Sequence, residues 1–204
     1  MFWQMNPIRM VNETDARKRV NRLRKARPEM TERQLCRIII KKKTGWCALS
    51  GIVTALPGII PGPGTLISLF GGTFLDIAAL SYILSEMVME IAIVYDRDLG
   101  KQGSSREALW VLLSSVGADT VSKNVTRLAA KQMGTQAFTK VANNLLISMG
   151  IRLSQRSLLK IIPLLGALIS GTVNYLFCKK AGSIIADYYE KNRGDHWEGI
   201  TIDV

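Results

Sequence analysis

Gly58-Ile59-Ile60-Pro61-Gly62-Pro63-Gly64-Thr65-Leu66-Ile67-Ser68 lies at the centre of a stretch, Trp46 to Leu84, whose single formal charge is Asp76. Two prolines and two glycines in its middle cannot continue a helix, so two apolar helices must meet there at a bend. The pattern I-I-P-x-x-G-x-L-I-S returns at Ile161-Ile162-Pro163-Leu164-Leu165-Gly166-Ala167-Leu168-Ile169-Ser170, again leading into a long apolar segment. The expectation is an all-α protein. It is a helical bundle with two long apolar helices entered through repeated I-I-P-x-x-G bends, marked by Pro61, Gly62, Pro63 and Gly64 in one copy and by Pro163 and Gly166 in the other.

Working outward, the first apolar helix is expected over Trp46 to Leu56, with Ala48, Ser50, Gly51 and Ala55 small enough for close helix packing. It is too short for a bilayer, which needs about 20 residues. The second, Thr65 to Tyr95, would be about 45 Å long. Near the C-terminus, Ile161 to Cys178 is an uncharged run between Lys160 and Lys179-Lys180, at the lower edge of a transmembrane candidate, and a helix is expected from Leu164 to Glu190. Between these units, polar residues 96–103 form a turn. Three amphipathic helices follow over 106–116, 120–133 and 135–148, with core stripes at Leu109, Trp110, Leu112, Leu113, then Val121, Val125, Leu128, then Phe138, Val141, Leu145, Leu146. No segment alternates as a strand does.

Upstream, the charge is concentrated. The chain of 204 residues has net charge +11, and residues 1–43 hold thirteen Lys and Arg against four Asp and Glu. A basic helix is expected over Thr14 to Arg27, ended by Pro28, with Val20 and Leu23 as its main apolar contacts. Thr31-x-x-Gln34 is a capping box that starts the next helix near Glu32, and this one carries Lys41-Lys42-Lys43 directly into Trp46. Three lysines, a tryptophan and an uncharged run describe a helix passing from water to an apolar phase, which makes Lys41, Lys42, Lys43 and Trp46 the candidate membrane-surface contact. The division expected is a basic N-terminal arm over 1–30, a helical domain over 31–191 and a polar tail over 192–204.

A basic arm fits a polyanion, either an anionic membrane surface or nucleic acid. Residues 14–43 lack aromatics interleaved with the basic residues and a compact turn before a recognition helix, so the membrane is favoured. Cys36, Cys47 and Cys178 are odd in number and have no C-x-x-C spacing, so neither a disulfide framework nor a zinc site is expected; that fits a reducing cytoplasm or a cytoplasm-facing membrane protein. Met1-Phe2-Trp3-Gln4 lacks the layout of a secretory signal.

Reactive chemistry has few candidates. Asp76, Glu86 and Glu90 fall at about 0°, −80° and −40° around one helix, so they share a face. That face is a candidate buried acidic site, able to hold a cation, move protons or pair with Lys179-Lys180; the alternative for the glutamates is solvent. The single histidine, His196, stands in the polar tail. No metal-ligand spacing, nucleophile elbow or phosphate loop is present, and no metal, cofactor or catalytic residue is expected.

Ile60-Pro61-Gly62-Pro63-Gly64-Thr65, then Asp76-Ile77-Ala78-Ala79-Leu80, then Met89-Glu90-Ile91-Ala92 with Tyr95, Asp98 and Leu99, resembles the EcsC family and the related membrane-linked domain behind some bacterial GTPases. Lys160-Ile161-Ile162-Pro163 with Gly166, Ala167, Ser170, Asn174 and Ala181 resembles the other half of that pattern. The likeness covers about residues 35–190. It departs at Asp96, where the family often has glycine, and at Leu164-Leu165, where glycine is common. The resemblance implies a bacterial, all-helical, membrane-associated protein, in some cases encoded beside an ABC transporter. The resulting expectation is a non-enzymatic membrane-associated factor on the cytoplasmic side, peripheral or partly inserted, serving as accessory or scaffold for transport or envelope processes, with a protein partner as a further possibility. Its rivals are a soluble helical domain binding nucleic acid through the arm, and a hydrolase or ion-handling protein using Asp76.

Overall fold

A computed structural model describes the backbone of residues 11–55, 64–97, 102–116 and 163–194, with helical positions 130, 132, 137, 140 and 141. Side chains are described for these residues except 55, 64–74, 76–77, 102–106, 116 and 163–170. Five helices are delimited: α1 (Glu13–Ala26), α2 (Glu32–Ala55), α3 (Gly64–Val94), α4 (Gln102–Val116) and α5 (Pro163–Lys191), and no strand occurs among the described residues. The helices expected over 120–133 and 135–148 fall outside the described residues, the five positions above apart.

Local signals place the helix ends. The Asn12 side chain accepts from the Asp15 amide at 3.3 Å, Glu13 and Asp15 fill the first turn of α1, and Arg24 and Lys25 its last, all matching the helix dipole. Ala16 and Val20, four residues apart, bury the inward face. The capping box opens α2 reciprocally: Thr31 N donates to Gln34 Oε1 at 2.9 Å, and Gln34 N donates to Thr31 Oγ1 at 3.3 Å. From there α2 runs unbroken to Ala55, so the separate apolar helix expected from Trp46 is instead the second half of one 24-residue helix. No proline interrupts it, and the Thr44, Ser50 and Thr54 hydroxyls each donate back to a carbonyl of the preceding turn. α5 starts on Pro163, whose fixed φ suits a first helical residue.

α2 is the central element. A Cβ added at Gly182 of α5 would come within 2.9 Å of Ile40 Cγ1, and one at Gly171 within 2.7 Å of Ile52 Cγ1 and 3.1 Å of the Ala48 carbonyl. Between those contacts Cys47 is bonded to Cys178, with the Cα atoms 6.6 Å apart. Residue numbers rise along α2 as they fall along α5, so the two helices are antiparallel and in close contact. Arg33 extends the pairing, reaching Asp187 at 2.6 Å and Glu190 at 3.2 Å.

α3 is also antiparallel to α2, with Lys43 opposite Glu86 and Glu90, and Cys36 against Tyr95. α1 runs parallel to α3: Arg19 meets Glu86 and Glu90, and Arg24 donates to the Val94 carbonyl at 2.7 Å and pairs with Asp96 at 2.9 Å. Arg24 thereby satisfies a carbonyl that the end of α3 leaves open. Asp96 itself has φ 56°, the left-handed position that closes a helix. α4 packs on α3 and α5 through buried Leu109, Trp110, Leu112 and Leu113, the stripe expected from sequence.

The bundle thus has two unlike ends. At the charged end lie the start of α2 and the ends of α1, α3 and α5. At the other, nearly uncharged end, whose single charged residue is Asp76, lie the second half of α2 and the first halves of α3 and α5.

The disulfide corrects the reading of the cysteines. Sequence spacing shows bridges within loops and clusters, whereas Cys47 and Cys178 are 131 residues apart and meet only because α2 and α5 pack. The inference from cysteine count to a reducing compartment falls with it. Cys36 is the free, buried thiol.

Closing so long a loop is worth about 3–5 kcal/mol in the chain-entropy treatment. Cys47→Ala with Cys178→Ala is expected to lose that amount in urea unfolding, and alkylation of the denatured, unreduced protein should label one thiol rather than three. Three labels, with no change in stability on adding reductant, would exclude the bond. Burial pushes the Cys36 thiol from 9.0 up to about 12. The folded state therefore holds a proton that the unfolded chain releases, so this stability is complete below pH 9 and falls as pH rises towards 12. Urea midpoints measured across that window should drop, and Cys36→Ala should flatten the slope.

Candidate functional site

Two of the three carboxylates proposed from sequence come together at the junction of the two ends. Glu86 Oε1 accepts from Arg19 Nη2 at 2.8 Å and its Oε2 from Lys43 Nζ at 2.6 Å. Glu90 Oε1 accepts from Arg19 Nε at 2.5 Å and from Lys43 Nζ at 3.1 Å. The side chains of Lys43 and Glu90 are each only 6% exposed. Two cations and two carboxylates from α1, α2 and α3 therefore balance in a largely dry site, where each charge needs the others. Tyr82 Oη adds a longer contact to Glu86 at 3.4 Å. Burial opposes the charge on Arg19, yet the hydrogen bond to Glu90 and the charges of Glu90 and Glu86 outweigh it and raise its pKa.

This arrangement corrects two expectations. Glu86 and Glu90 pair with Arg19 and Lys43, whereas Lys179 and Lys180 of α5 are exposed and Lys179 lies over the Tyr175 ring at 6.0 Å. Lys43, expected at a membrane surface, is turned inward, because it lies on the same face of α2 as buried Cys36 and Cys47. Lys41, Lys42 and Trp46 remain on the surface. Asp76 belongs to α3, but its side chain lies outside the described residues, as do Pro61, Gly62 and Pro63 altogether. Gly64 and Pro163 are the first residues of α3 and α5, and Gly166 lies in the first turn of α5. A cation entering the carboxylate pair would have to displace Lys43 or Arg19. Among the described residues no group of His, Cys, Asp and Glu is placed to hold a metal.

A second buried set, at the charged end, was not found from sequence. Arg97 Nη2 lies 3.8 Å from Glu107 Oε1, Tyr188 Oη donates to Glu107 at 3.1 Å, and the Arg97 guanidinium sits 5.8 Å from the Tyr189 ring centre. Burial, with Glu107 next in effect, raises the Tyr189 hydroxyl well above its ordinary value. These contacts tie α4 and α5 to the turn after α3.

The other feature is apolar. The large hydrophobic side chains exposed among the described residues are Trp46, Leu49 and Val53 on α2, Leu75 and Tyr82 on α3, and Tyr175 and Leu176 on α5. All of them lie on the uncharged side of the Lys43–Glu86 level. Trp46, Leu49 and Val53 are 53%, 46% and 52% exposed and fall within an arc of about 60° on one helix face. Scattered apolar side chains on a surface need no explanation, but a set confined to one end of a bundle does. Around them, residues 44–55 of α2 and 163–178 of α5 carry no charge. No helix among the described residues is long and apolar enough to cross a membrane.

The chain matches no protein-family model, no curated protein and no solved structure.

Removing one member of a buried ion cluster strands the others. Lys43→Ala and Glu90→Ala are each expected to cost about 3 kcal/mol in urea unfolding, and the double variant less than their sum. Strict additivity would mean that the two side chains do not interact.

Proposed function

We propose that the protein is a non-enzymatic, membrane-associated helical factor that enters one leaflet of a bilayer by its nearly uncharged end, where Asp76 is the single charge, and keeps its charged end in water. The observation that carries this reading is that, among the described residues, the exposed large apolar side chains are confined to that end. The uncharged second half of α2, residues 44–55, is about 18 Å long, against about 15 Å for half of a hydrocarbon core. The dimensions support insertion without crossing. The buried cluster of Arg19, Lys43, Glu86 and Glu90 stands where the surroundings would change, and it joins three helices without leaving a net charge there.

On this reading α3 and α5 are two long apolar helices, each entered through an I-I-P-x-x-G bend as the repeat predicts, and both bends lie towards the lipid. The resemblance to the EcsC family supports a bacterial membrane-associated protein acting as accessory or scaffold in transport or envelope processes; it also implies the cytoplasmic side of the membrane, against which the Cys47–Cys178 bond speaks. The nucleic-acid alternative draws less support, because Arg17, Lys18, Arg19 and Arg24 of the basic helix are each engaged with a carboxylate of the chain.

Sedimentation with neutral phosphatidylcholine vesicles tests the reading. The chain should bind in high salt and survive an alkaline carbonate wash. Trp46→Ser with Leu49→Ser and Val53→Ser should weaken binding about 100-fold, from roughly 1 kcal/mol for each half-exposed side chain. A chain that stays in solution with every vesicle would defeat the proposal.

A further inference from the structure

The antiparallel register of α2 and α5 brings together two lysine pairs that are 138 positions apart in sequence, Lys41-Lys42 and Lys179-Lys180. Lys41 and Lys42 follow Ile40 and precede Cys47; Lys179 and Lys180 follow Cys178 and precede Gly182. Since Ile40 packs at Gly182 and Cys47 is bonded to Cys178, all four lysines stand at one level of the bundle. All four are exposed, and none forms an ion pair with another described residue. They mark the edge of the uncharged end: no charged residue occurs between Lys43 and the end of α2, or between the start of α5 and Lys179.

Each pair is also laddered onto the apolar surface. Lys42 precedes Trp46 by one helical turn, and Leu176 precedes Lys180 by one turn on the oppositely directed helix, so in both cases the lysine stands one turn to the charged side of the apolar residue. Lys179 and Tyr175 are spaced alike, with the ammonium 6.0 Å from the ring centre. A lysine with its stem along an apolar surface and its amine at the rim is placed to meet a headgroup.

We infer that Lys41, Lys42, Lys179 and Lys180 form a binding band for anionic phospholipid headgroups, with Trp46 and Tyr175 beneath it at the depth of the glycerol backbone. The inference rests on the membrane reading above and adds its lipid selectivity. It transfers the anionic contact from the N-terminal arm to the α2–α5 pair. The arm is poorly placed for that contact: α1 is parallel to α3, so acidic Glu13 and Asp15 point towards the uncharged end and Arg22, Lys25 and Arg27 towards the charged one.

The test compares phosphatidylcholine vesicles with vesicles in which part of that lipid is replaced by phosphatidylglycerol, using the full chain at moderate salt. Each lysine near an anionic surface is worth about a fivefold change in affinity. Lys41→Gln, Lys42→Gln, Lys179→Gln and Lys180→Gln combined should therefore lower affinity for the anionic vesicles by 100-fold or more, as an order of magnitude, and leave neutral vesicles unaffected. The comparison variant, Arg22→Gln with Lys25→Gln and Arg27→Gln, should lose less than about fivefold. The inference is overturned if the quadruple variant binds anionic vesicles as the wild type does, if the arm variant shows the larger loss, or if the same four lysines bind duplex DNA in vesicle-free solution. Equal binding of the wild type to both vesicles removes the inference and leaves the membrane reading intact; binding to neither removes both.

Discussion

The close approach of α2 and α5 sets the geometry of everything around them. At Gly171 and Gly182 the missing side chains let one backbone settle against Ile52, Ala48 and Ile40 of the other, and the bonded cysteines hold the same pair between those contacts. A fixed register follows, and from it the level at which charges stop on both helices. α3 then lies against both, with Leu80, Leu84, Met87, Val88 and Ile91 buried at the centre of the molecule. α1 and α4 close the charged end through side chains that are themselves paired: Arg19 and Arg24 on one side, Glu107 on the other.

Four charges meet at the midpoint, Lys43 and Glu90 buried, Glu86 and Arg19 partly exposed. A buried ion cluster is a weak source of net stability, since desolvation offsets most of the attraction, but it is unforgiving of misalignment. Sliding α2 by one turn along α3 would carry Lys43 out of reach of both Glu86 and Glu90. Apolar packing alone tolerates such a slip far better, because one aliphatic contact resembles another. Where α2 and α3 otherwise meet through apolar side chains, the cluster is the element that distinguishes one alignment from its neighbours.

Much of this could be read directly from the residues. The capping box marks the start of α2 at Glu32, the helices expected from Thr65 and Leu164 begin one residue earlier at Gly64 and Pro163, and the stripe Leu109-Trp110-Leu112-Leu113 is buried. Glu86 and Glu90 share a face and a site, as their angular spacing required. Their partners were harder, because helical spacing says which residues share a face but not which helix lies opposite. A signal was nonetheless present: Lys43 falls within the stripe of Cys36 and Cys47, Arg19 borders that of Ala16 and Val20, and a basic residue inside an apolar stripe calls for a carboxylate across the interface. The disulfide left no such trace, since neither cysteine differs in its surroundings from any small core residue. Asp96 is a middle case. Its side chain gives no sign of a helix end, and only the backbone angle of 56° reveals a position that favours glycine for conformational reasons.

The distance along the chain between the two central helices carries a consequence for synthesis. Cys47 and Cys178 are separated by 131 residues, which a ribosome takes roughly ten seconds to make. For the part of that interval after α3 is complete, α2 and α3 exist without the helix that packs against both. The final partner of α2 must then arrive from the far end of the chain, so docking of α5 is a late event that seals an arrangement already oriented by its first half.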